Sequence, residues 1–287
     1  MKNFRPLLWL LAITLFFQSC SENGEGPISG ELPAIDILDD QYGSNPVQSL
    51  NIYLPAGRSS GETPLLIYIH GGAWIDGDKT EFDSFRALAE TYFPGYAYIS
   101  IGYRLYDIPT GNNAFPSQEE DILEAIEYIV SKTAEWNVSN EIVLAGASAG
   151  GHLALLHGYK NSTIGNIKSL IALFPPTELS ELFEFNLLTQ LGLTQLLGGT
   201  PETVPGNYSD SSPISFIGPQ SIPTIFFHGT EDTVVPITQS EILEAELESA
   251  NVDHEFVIIE GQGHGFAPLT YAEAFEQAAA FSANYIQ

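Results

Sequence analysis

The sequence predicts an α/β fold in which a mostly parallel central sheet is covered by helices on both faces. Apolar runs of strand length alternate along the chain with segments whose apolar residues follow helical spacing. The strand-type runs are continuously apolar, as is typical of parallel strands that are buried on both faces. One such run, residues 141–145, leads directly into Gly146-Ala147-Ser148-Ala149-Gly150. This G-x-S-x-G pattern is typical of a sharp turn from a strand into a helix.

The individual elements follow from the same patterns. Each predicted strand is closely followed by glycine or proline, and all are short apolar runs except residues 47–54, which alternate loosely between apolar and polar residues. These strands are residues 47–54, 65–69, 96–101, 141–145, 167–174, 222–227 and 255–259. The predicted helices carry apolar stripes at helical spacing. They are residues 78–92, residues 122–130 behind a Ser117/Glu120 capping box, the segment that starts near His152, and residues 178–197, 237–250 and 271–285.

Composition limits the classes of ligand. The chain of 287 residues has 9 Lys and Arg against 36 Asp and Glu, which gives a formal net charge of −27. So much negative charge repels nucleic acid and anionic lipid surfaces, and we expect neither as a ligand. The hydrophobic content of 44% is sufficient for an ordered core. We find no internal repeat and no second break in composition, which favours a single folded domain.

The amino terminus resembles a bacterial lipoprotein signal. Lys2 and Arg5 precede an apolar run over residues 7–17, which is too short to span a bilayer but typical of a signal peptide. The only cysteine of the chain, Cys20, follows this run. We therefore expect cleavage before Cys20, lipid attachment to it, and an exported protein at the outer membrane or cell surface. The alternative is a soluble periplasmic or secreted protein.

This interpretation divides the chain into three parts. Residues 1–19 are the predicted signal peptide, and the polar, glycine-containing residues 20–38 are a predicted tether. Residues 39–287 form the predicted folded domain. Contact with a membrane is expected only through the lipid anchor on Cys20.

Several predicted strands end at residues that are able to do chemistry. The second strand leads into His70-Gly71-Gly72-Ala73-Trp74, and Ser148, Asp232 and His264 follow three later strands. In a parallel sheet the carboxyl ends of the strands meet at one edge, and ligands bind there. We therefore expect these residues to meet.

Serine, histidine and a carboxylate together suggest nucleophilic catalysis. A serine hydroxyl is a weak nucleophile unless a base accepts its proton, and histidine is suited to that role. Ser148 is the candidate nucleophile and His264, which lies between glycines in a loop, is the candidate base. The carboxylate that orients the base is either Asp232 or its neighbour Glu231. His152 is expected to be a packing residue.

Backbone N–H groups near Ser148 are candidate donors to an oxyanion. An attacked carbonyl develops negative charge, which fixed N–H donors stabilise. Ala149 directly follows Ser148, and Gly72 and Ala73 belong to the glycine-containing loop. Trp74 is a candidate wall of the substrate pocket.

Taken in order, these motifs resemble the α/β-hydrolase esterases, and in particular the carboxylesterase and hormone-sensitive-lipase-like branch with a His-Gly-Gly-x-Trp loop. The resemblance covers about residues 40–287 and also includes Asn51-Ile52-Tyr53-Leu54-Pro55, Tyr103-Arg104-Leu105, Phe115-Pro116 with Asp121, and Gly263-His264-Gly265-Phe266. It implies an α/β-hydrolase fold with the triad order Ser148, Asp232, His264. It also implies a small helical cap at about residues 175–219, and no metal or organic cofactor. Ala73 departs from the third glycine that many members have.

The resemblance implies a serine esterase that acts through an acyl-enzyme. Short or aromatic acyl esters are the expected substrates, and export suggests acetyl or feruloyl groups carried by polysaccharides. An aryl formamidase or a prolyl-oligopeptidase-like amide hydrolase is the first alternative. A catalytically inactive hydrolase fold that serves as a binding module is the second. The many apolar residues of the cap, among them Leu182, Leu188 and Leu191, either pack on the core or line the pocket.

Overall fold

An eight-stranded sheet forms the centre of the structure, a computed structural model that describes residues 31–287. The strands are β1 (Ile35–Gln41), β2 (Ser49–Leu54), β3 (Leu65–Ile69), β4 (Ala97–Ile101), β5 (Glu141–Ala147), β6 (Asn166–Leu173), β7 (Thr224–Gly229) and β8 (His254–Ile259). Their order across the sheet is β1-β2-β4-β3-β5-β6-β7-β8. Strand β2 pairs antiparallel with both of its neighbours, and every other pairing is parallel. The predicted, mostly parallel sheet is confirmed.

Within residues 31–287, eight α-helices lie between or after the strands. They are α1 (Arg86–Tyr92), α2 (Ser117–Trp136), α3 (Ala149–Lys160), α4 (Leu179–Phe185), α5 (Leu187–Leu197), α6 (Pro205–Ser211), α7 (Thr238–Ser249) and α8 (Pro268–Ser282). Two short 3-10 helices, Lys79–Ser84 and Pro213–Phe216, precede α1 and follow α6.

The core has two layers because the sheet is covered on both faces. On one face α2, α3 and α7 bury aliphatic residues against the sheet, for example Ile126, Leu153 and Leu243. On the other face the layer is more aromatic, and Phe82 and residues of α1 and α8 pack there. All residues of β2 to β5 are buried, which explains why a strand such as β3 is continuously apolar in sequence.

The predicted boundary of the tether at residue 38 is wrong. Strand β1 begins at Ile35 and pairs with β2, so residues 35–38 belong to the sheet. Most residues of β1 are exposed because it is an edge strand. Its sequence therefore lacks the continuous apolar run by which the inner strands were predicted.

Three helices differ in detail from the prediction. Residues 178–197 form two helices, α4 and α5, because Asn186 is extended and caps α5: its side chain accepts hydrogen bonds from the N–H groups of Leu188 and Thr189. Helix α2 begins at Ser117 itself, after Pro116, so the predicted Ser117/Glu120 capping box is wrong. Residues 78–92 comprise the first 3-10 helix and α1 rather than one helix.

The predicted signal peptide and the lipidation site Cys20 lie outside the described residues, and both stay predictions. Within residues 31–287, no helix is long and apolar enough to cross a membrane.

Candidate active site

The carboxyl ends of four parallel strands bring the predicted residues to one edge of the sheet. His70 follows β3, Ser148 follows β5, and Asp232 and His264 lie in the loops after β7 and β8. The strand order places β3 beside β5 and β7 beside β8, with only β6 between the two pairs. The loops from distant parts of the sequence therefore converge on Ser148.

Ser148, His264 and Asp232 form a continuous chain of hydrogen bonds. The Oγ atom of Ser148 lies 2.8 Å from Nε2 of His264. On the other side of the imidazole ring, Nδ1 lies 2.7 Å from Oδ2 of Asp232. A carboxylate only accepts, so Nδ1 carries the hydrogen and Nε2 is free to accept a proton from the hydroxyl group. This geometry can activate Ser148 as a nucleophile.

The carboxylate of Asp232 is buried but well supplied with donors. Its Oδ1 atom accepts hydrogen bonds from the N–H groups of Val234 and Val235, at 2.8 and 2.9 Å. Burial by itself would raise the pKa of Asp232, but hydrogen bonds to His228 and His264 hold it well below its usual value. Asp232 is therefore ionised at neutral pH and able to stabilise a protonated His264.

Ser148 lies at a strained turn between β5 and α3. Its φ of 53° and ψ of −122° are unfavourable for a residue with a side chain. The turn is possible because the neighbours are small. A Cβ atom on Gly150 would clash with the carbonyl oxygens of Ile69 and His70, so β3 passes against the start of α3. The sharp turn exposes the Ser148 hydroxyl at the edge of the sheet.

Two candidate oxyanion donors, Ala73 and Ala149, line the same cavity as Ser148. Ala149 is the first residue of α3, where a backbone N–H has no acceptor within the helix. Within the described part of the chain, the N–H groups of Gly72 and Ala73 also donate to no other group. All three N–H groups are thus free to donate to a ligand, and Gly72 is an exposed residue directly before Ala73.

The loop that carries Gly72 and Ala73 has an unusual backbone. Gly72, Ala73 and Trp74 have φ values of 108°, 51° and 62°. The left-handed region costs a residue with a Cβ atom about 1–2 kcal/mol, so the surrounding structure must hold this loop. Part of that support is His70, whose ring stacks on Tyr103 with 4.3 Å between centroids. His70 thus has a structural role beside this loop.

A cavity of about 530 Å³ opens beside Ser148. Its walls come from the Gly72–Trp74 loop, from the loop after β4, from α4 and α5, and from the residues after Asp232. The lining residues include Trp74, Tyr106, Ile108, Leu182, Leu188, Leu191, Leu196 and Val234. Among residues 31–287, no Asp, Glu, Lys or Arg side chain lines this cavity.

The apolar residues of the predicted cap have both of the roles that the sequence left open. Leu179 and Leu197 are buried in the core. Leu188 and Leu191 are 80% and 54% exposed, and both line the cavity. The cap thus contributes one wall of the site through α5.

Trp74 lines the cavity, as the sequence suggests, but its indole is also hydrogen-bonded. Its Nε1–H donates to Nδ1 of His152 at 3.2 Å. The sequence favours a packing role for His152, and no local motif indicates this bond because the two residues are far apart in the chain. Only the fold, which sets α3 behind the loop, could reveal it.

One group of residues in the described part of the chain is close enough to share a metal ion. It consists of Glu244, Glu248 and His254. His254 is the first residue of β8 and so lies at the edge of the sheet opposite Ser148. Exposed acidic groups commonly occur without an ion, and we assign no metal to them.

Comparison with known families gives one match over most of the chain. Residues 50–247 match the model of the BD-FAE family. This match contains Ser148 and Asp232, the loop of Gly72 and the whole cap; His264 lies beyond its end.

Individual relatives and solved structures are distant. Esterase LipC of Mycobacterium tuberculosis is 23% identical over 78% of this chain and 58% of its own length. A kynurenine formamidase of Meyerozyma guilliermondii is 27% identical over 75% of this chain and 82% of its own length. The chain spans about half the length of the first curated relatives it matches.

Among solved structures, a truncated carbohydrate esterase from gut microbiota superposes with a TM-score of 0.72 at 23% identity. The superposition covers 86% of this chain and 96% of that one. This likeness, together with the strand order, confirms the predicted α/β-hydrolase fold.

Proposed function

Because the chain belongs to the BD-FAE family and has an α/β-hydrolase fold, we propose that it is a serine hydrolase of carboxylic esters that works through an acyl-enzyme. The observation that carries this proposal is the unbroken chain of hydrogen bonds from Ser148 through His264 to Asp232 at the base of an apolar cavity. Esterases among its relatives support the same reaction class.

In the proposed reaction, Ser148 Oγ attacks the ester carbonyl carbon while its proton passes to Nε2 of His264. The carbonyl oxygen becomes an oxyanion that accepts hydrogen bonds from the N–H groups of Ala149, Ala73 and Gly72. The C–O bond to the alcohol then breaks, and His264 gives its proton to the leaving oxygen. A water molecule, deprotonated by His264, releases the acid from Ser148 and restores the enzyme.

The walls of the cavity favour an uncharged, apolar ester. A charged substrate group would lose its hydration there and find no oppositely charged side chain in the lining. A volume of about 530 Å³ is sufficient for an aromatic or a short aliphatic acyl group. We therefore propose short or aromatic acyl esters, with acetyl or feruloyl groups of polysaccharides as the natural targets.

The proposal is tested with a matched ester and amide. We expect the purified protein to hydrolyse p-nitrophenyl acetate and to leave p-nitroacetanilide, which has the same ring and acyl group, essentially intact. Preferential hydrolysis of the anilide would favour the amide hydrolase that the formamidase relative suggests. No hydrolysis of any short ester would instead favour a binding module.

The exposed leucines of α5 give a specific prediction about chain length. Replacing both Leu188 and Leu191 by serine should lower kcat/KM for p-nitrophenyl hexanoate about 3- to 10-fold, because the distal methylene groups lose apolar contact. The rate on p-nitrophenyl acetate should change less than about 2-fold, because the acetyl group ends near Ser148.

Leu269 provides the matched control for this change. It is 79% exposed, as Leu188 is 80% exposed, but it lies on α8 and does not line the cavity. Leu269→Ser should leave both rates unchanged. Equal losses on the acetate and the hexanoate in the α5 variant would contradict a role of these leucines in acyl recognition.

A further inference from the structure

His152 makes two hydrogen bonds that are unusual for a packing residue. Its Nδ1 atom accepts from the indole N–H of Trp74 at 3.2 Å, and the two rings meet edge to face with 5.0 Å between centroids. Its Nε2 atom lies 2.7 Å from the carbonyl oxygen of Ser211. All of these contacts are buried.

The two bonds require the same form of the imidazole ring. The Ser211 carbonyl only accepts, so Nε2 of His152 must carry a hydrogen. The indole N–H of Trp74 only donates, so Nδ1 must be free of one. Burial also lowers the pKa of His152 to about 4, which keeps the ring neutral at neutral pH. The neutral Nε2-protonated tautomer is therefore the one that fits the site.

His152 contacts the Gly72–Trp74 loop, which we call the oxyanion loop, through the side chain of Trp74. Trp74 directly follows Ala73, and both have left-handed φ values that must be held from outside. The backbone of Trp74 is fixed by the N–H of Tyr106, which donates to its carbonyl oxygen at 2.8 Å. The bond to His152 fixes its side chain.

Helix α3 connects this support to the nucleophile. Its first turn follows Ser148 and provides the N–H of Ala149, and the N–H of His152 donates to the Ser148 carbonyl at 2.9 Å. Helix α3 thus carries one oxyanion donor and the acceptor for Trp74, and it begins directly after the nucleophile. At its other nitrogen His152 holds Ser211, the last residue of α6 in the cap.

We propose that His152 is a positioning residue that holds the oxyanion loop at a fixed distance from Ser148 and joins this loop to the cap through Ser211. The inference rests on the proposed ester hydrolysis. Stabilisation of the transition state needs the N–H of Ala73 in place. His152 is therefore expected to affect the energy of the transition state and not the binding of the ground-state ester.

The test compares variants that keep or remove the acceptor for Trp74. His152→Phe keeps an aromatic ring and removes both hydrogen bonds. It should lower kcat on p-nitrophenyl acetate about 10- to 100-fold and change KM less than about 3-fold, because a displaced loop weakens oxyanion stabilisation. His152→Asn offers an oxygen near the position of Nδ1 and should recover kcat to within about 5-fold of the wild type. Each kcat is divided by the number of active sites titrated with a phosphonate ester.

His157 is the matched control for the packing contribution of His152. It lies on the same helix and is equally buried, but its Nε2 atom lies 3.4 Å from the carbonyl oxygen of Ile164 and it does not line the cavity. His157→Phe should leave kcat per titrated site unchanged, whatever its effect on thermal stability.

A double variant tests whether the effect passes through Trp74. His152→Phe with Trp74→Phe should be no slower than the slower single variant, because both changes remove the same hydrogen bond between Trp74 and His152. If His152→Phe does not fold, Trp74→Phe alone should show the same loss of kcat.

Any one of three results would overturn the proposal. They are a wild-type kcat per site in His152→Phe or in Trp74→Phe, no recovery of kcat in His152→Asn, and multiplicative losses of kcat in the double variant. Failure of the proposed function gives a different result, since the wild-type protein would then neither hydrolyse the ester nor react with the phosphonate.

Discussion

Ser148→Ala should lower kcat on p-nitrophenyl acetate by about 10⁴- to 10⁶-fold, because Ser148 forms the acyl-enzyme in the proposed mechanism. The fold should be preserved, since the hydrogen bond from the Ser148 N–H to the carbonyl of Leu173 involves only backbone atoms. Initial rates are measured with the uncatalysed rate subtracted, and folding is followed by thermal unfolding.

An exposed serine on α2 serves as the control for this substitution. Ser131→Ala changes the same hydroxyl group outside the site and should retain the wild-type rate. Ester hydrolysis by folded Ser148→Ala within about 10-fold of the wild-type rate would mean that another residue is the nucleophile.

Asp232→Asn should lower kcat by about 10⁴-fold. The carboxylate accepts from the imidazole on Oδ2 and from two backbone N–H groups on Oδ1. An asparagine has one accepting oxygen and one NH₂ group, so in either orientation a donor faces another donor or the imidazole takes the wrong tautomer. Because this conflict is buried, we also expect a loss of about 1–3 kcal/mol in the free energy of unfolding.

Glu231 is the matched control for Asp232, since it is the adjacent carboxylate and the alternative that the sequence allows. Its side chain is exposed, and Glu231→Gln should change kcat less than about 2-fold. A large loss in Glu231→Gln with an active Asp232→Asn would assign the acid to the neighbouring residue.

Much of the fold could be predicted because the inner strands are buried on both faces. Burial on both sides leaves a continuous apolar run, which a sequence displays directly, as in Leu65–Ile69. The edge strand β1 carries no such signal, so the sequence places its first residues, 35–38, in the tether. The sequence also does not show the break between α4 and α5, because Asn186 interrupts an otherwise apolar helical pattern by local capping.

The residues of the site could be predicted because each follows a strand, and parallel strands end at one edge. That rule and their chemistry select Ser148 and His264, whereas the choice of Asp232 over Glu231 also needed the resemblance to the α/β-hydrolase esterases. The bond between His152 and Trp74 could not be predicted in this way. It depends on how deeply α3 packs behind the oxyanion loop, which is a property of the tertiary structure rather than of either segment.

The most direct test of Ser148 as the acyl-enzyme nucleophile is covalent trapping. The protein is treated with p-nitrophenyl diethyl phosphate, digested, and analysed by peptide mass spectrometry. We predict one phosphoryl group per chain, on Ser148, formed in proportion to the loss of esterase activity, with no modification in Ser148→Ala. Modification of a different residue, or an active esterase that is not modified at all, would contradict a serine mechanism at Ser148.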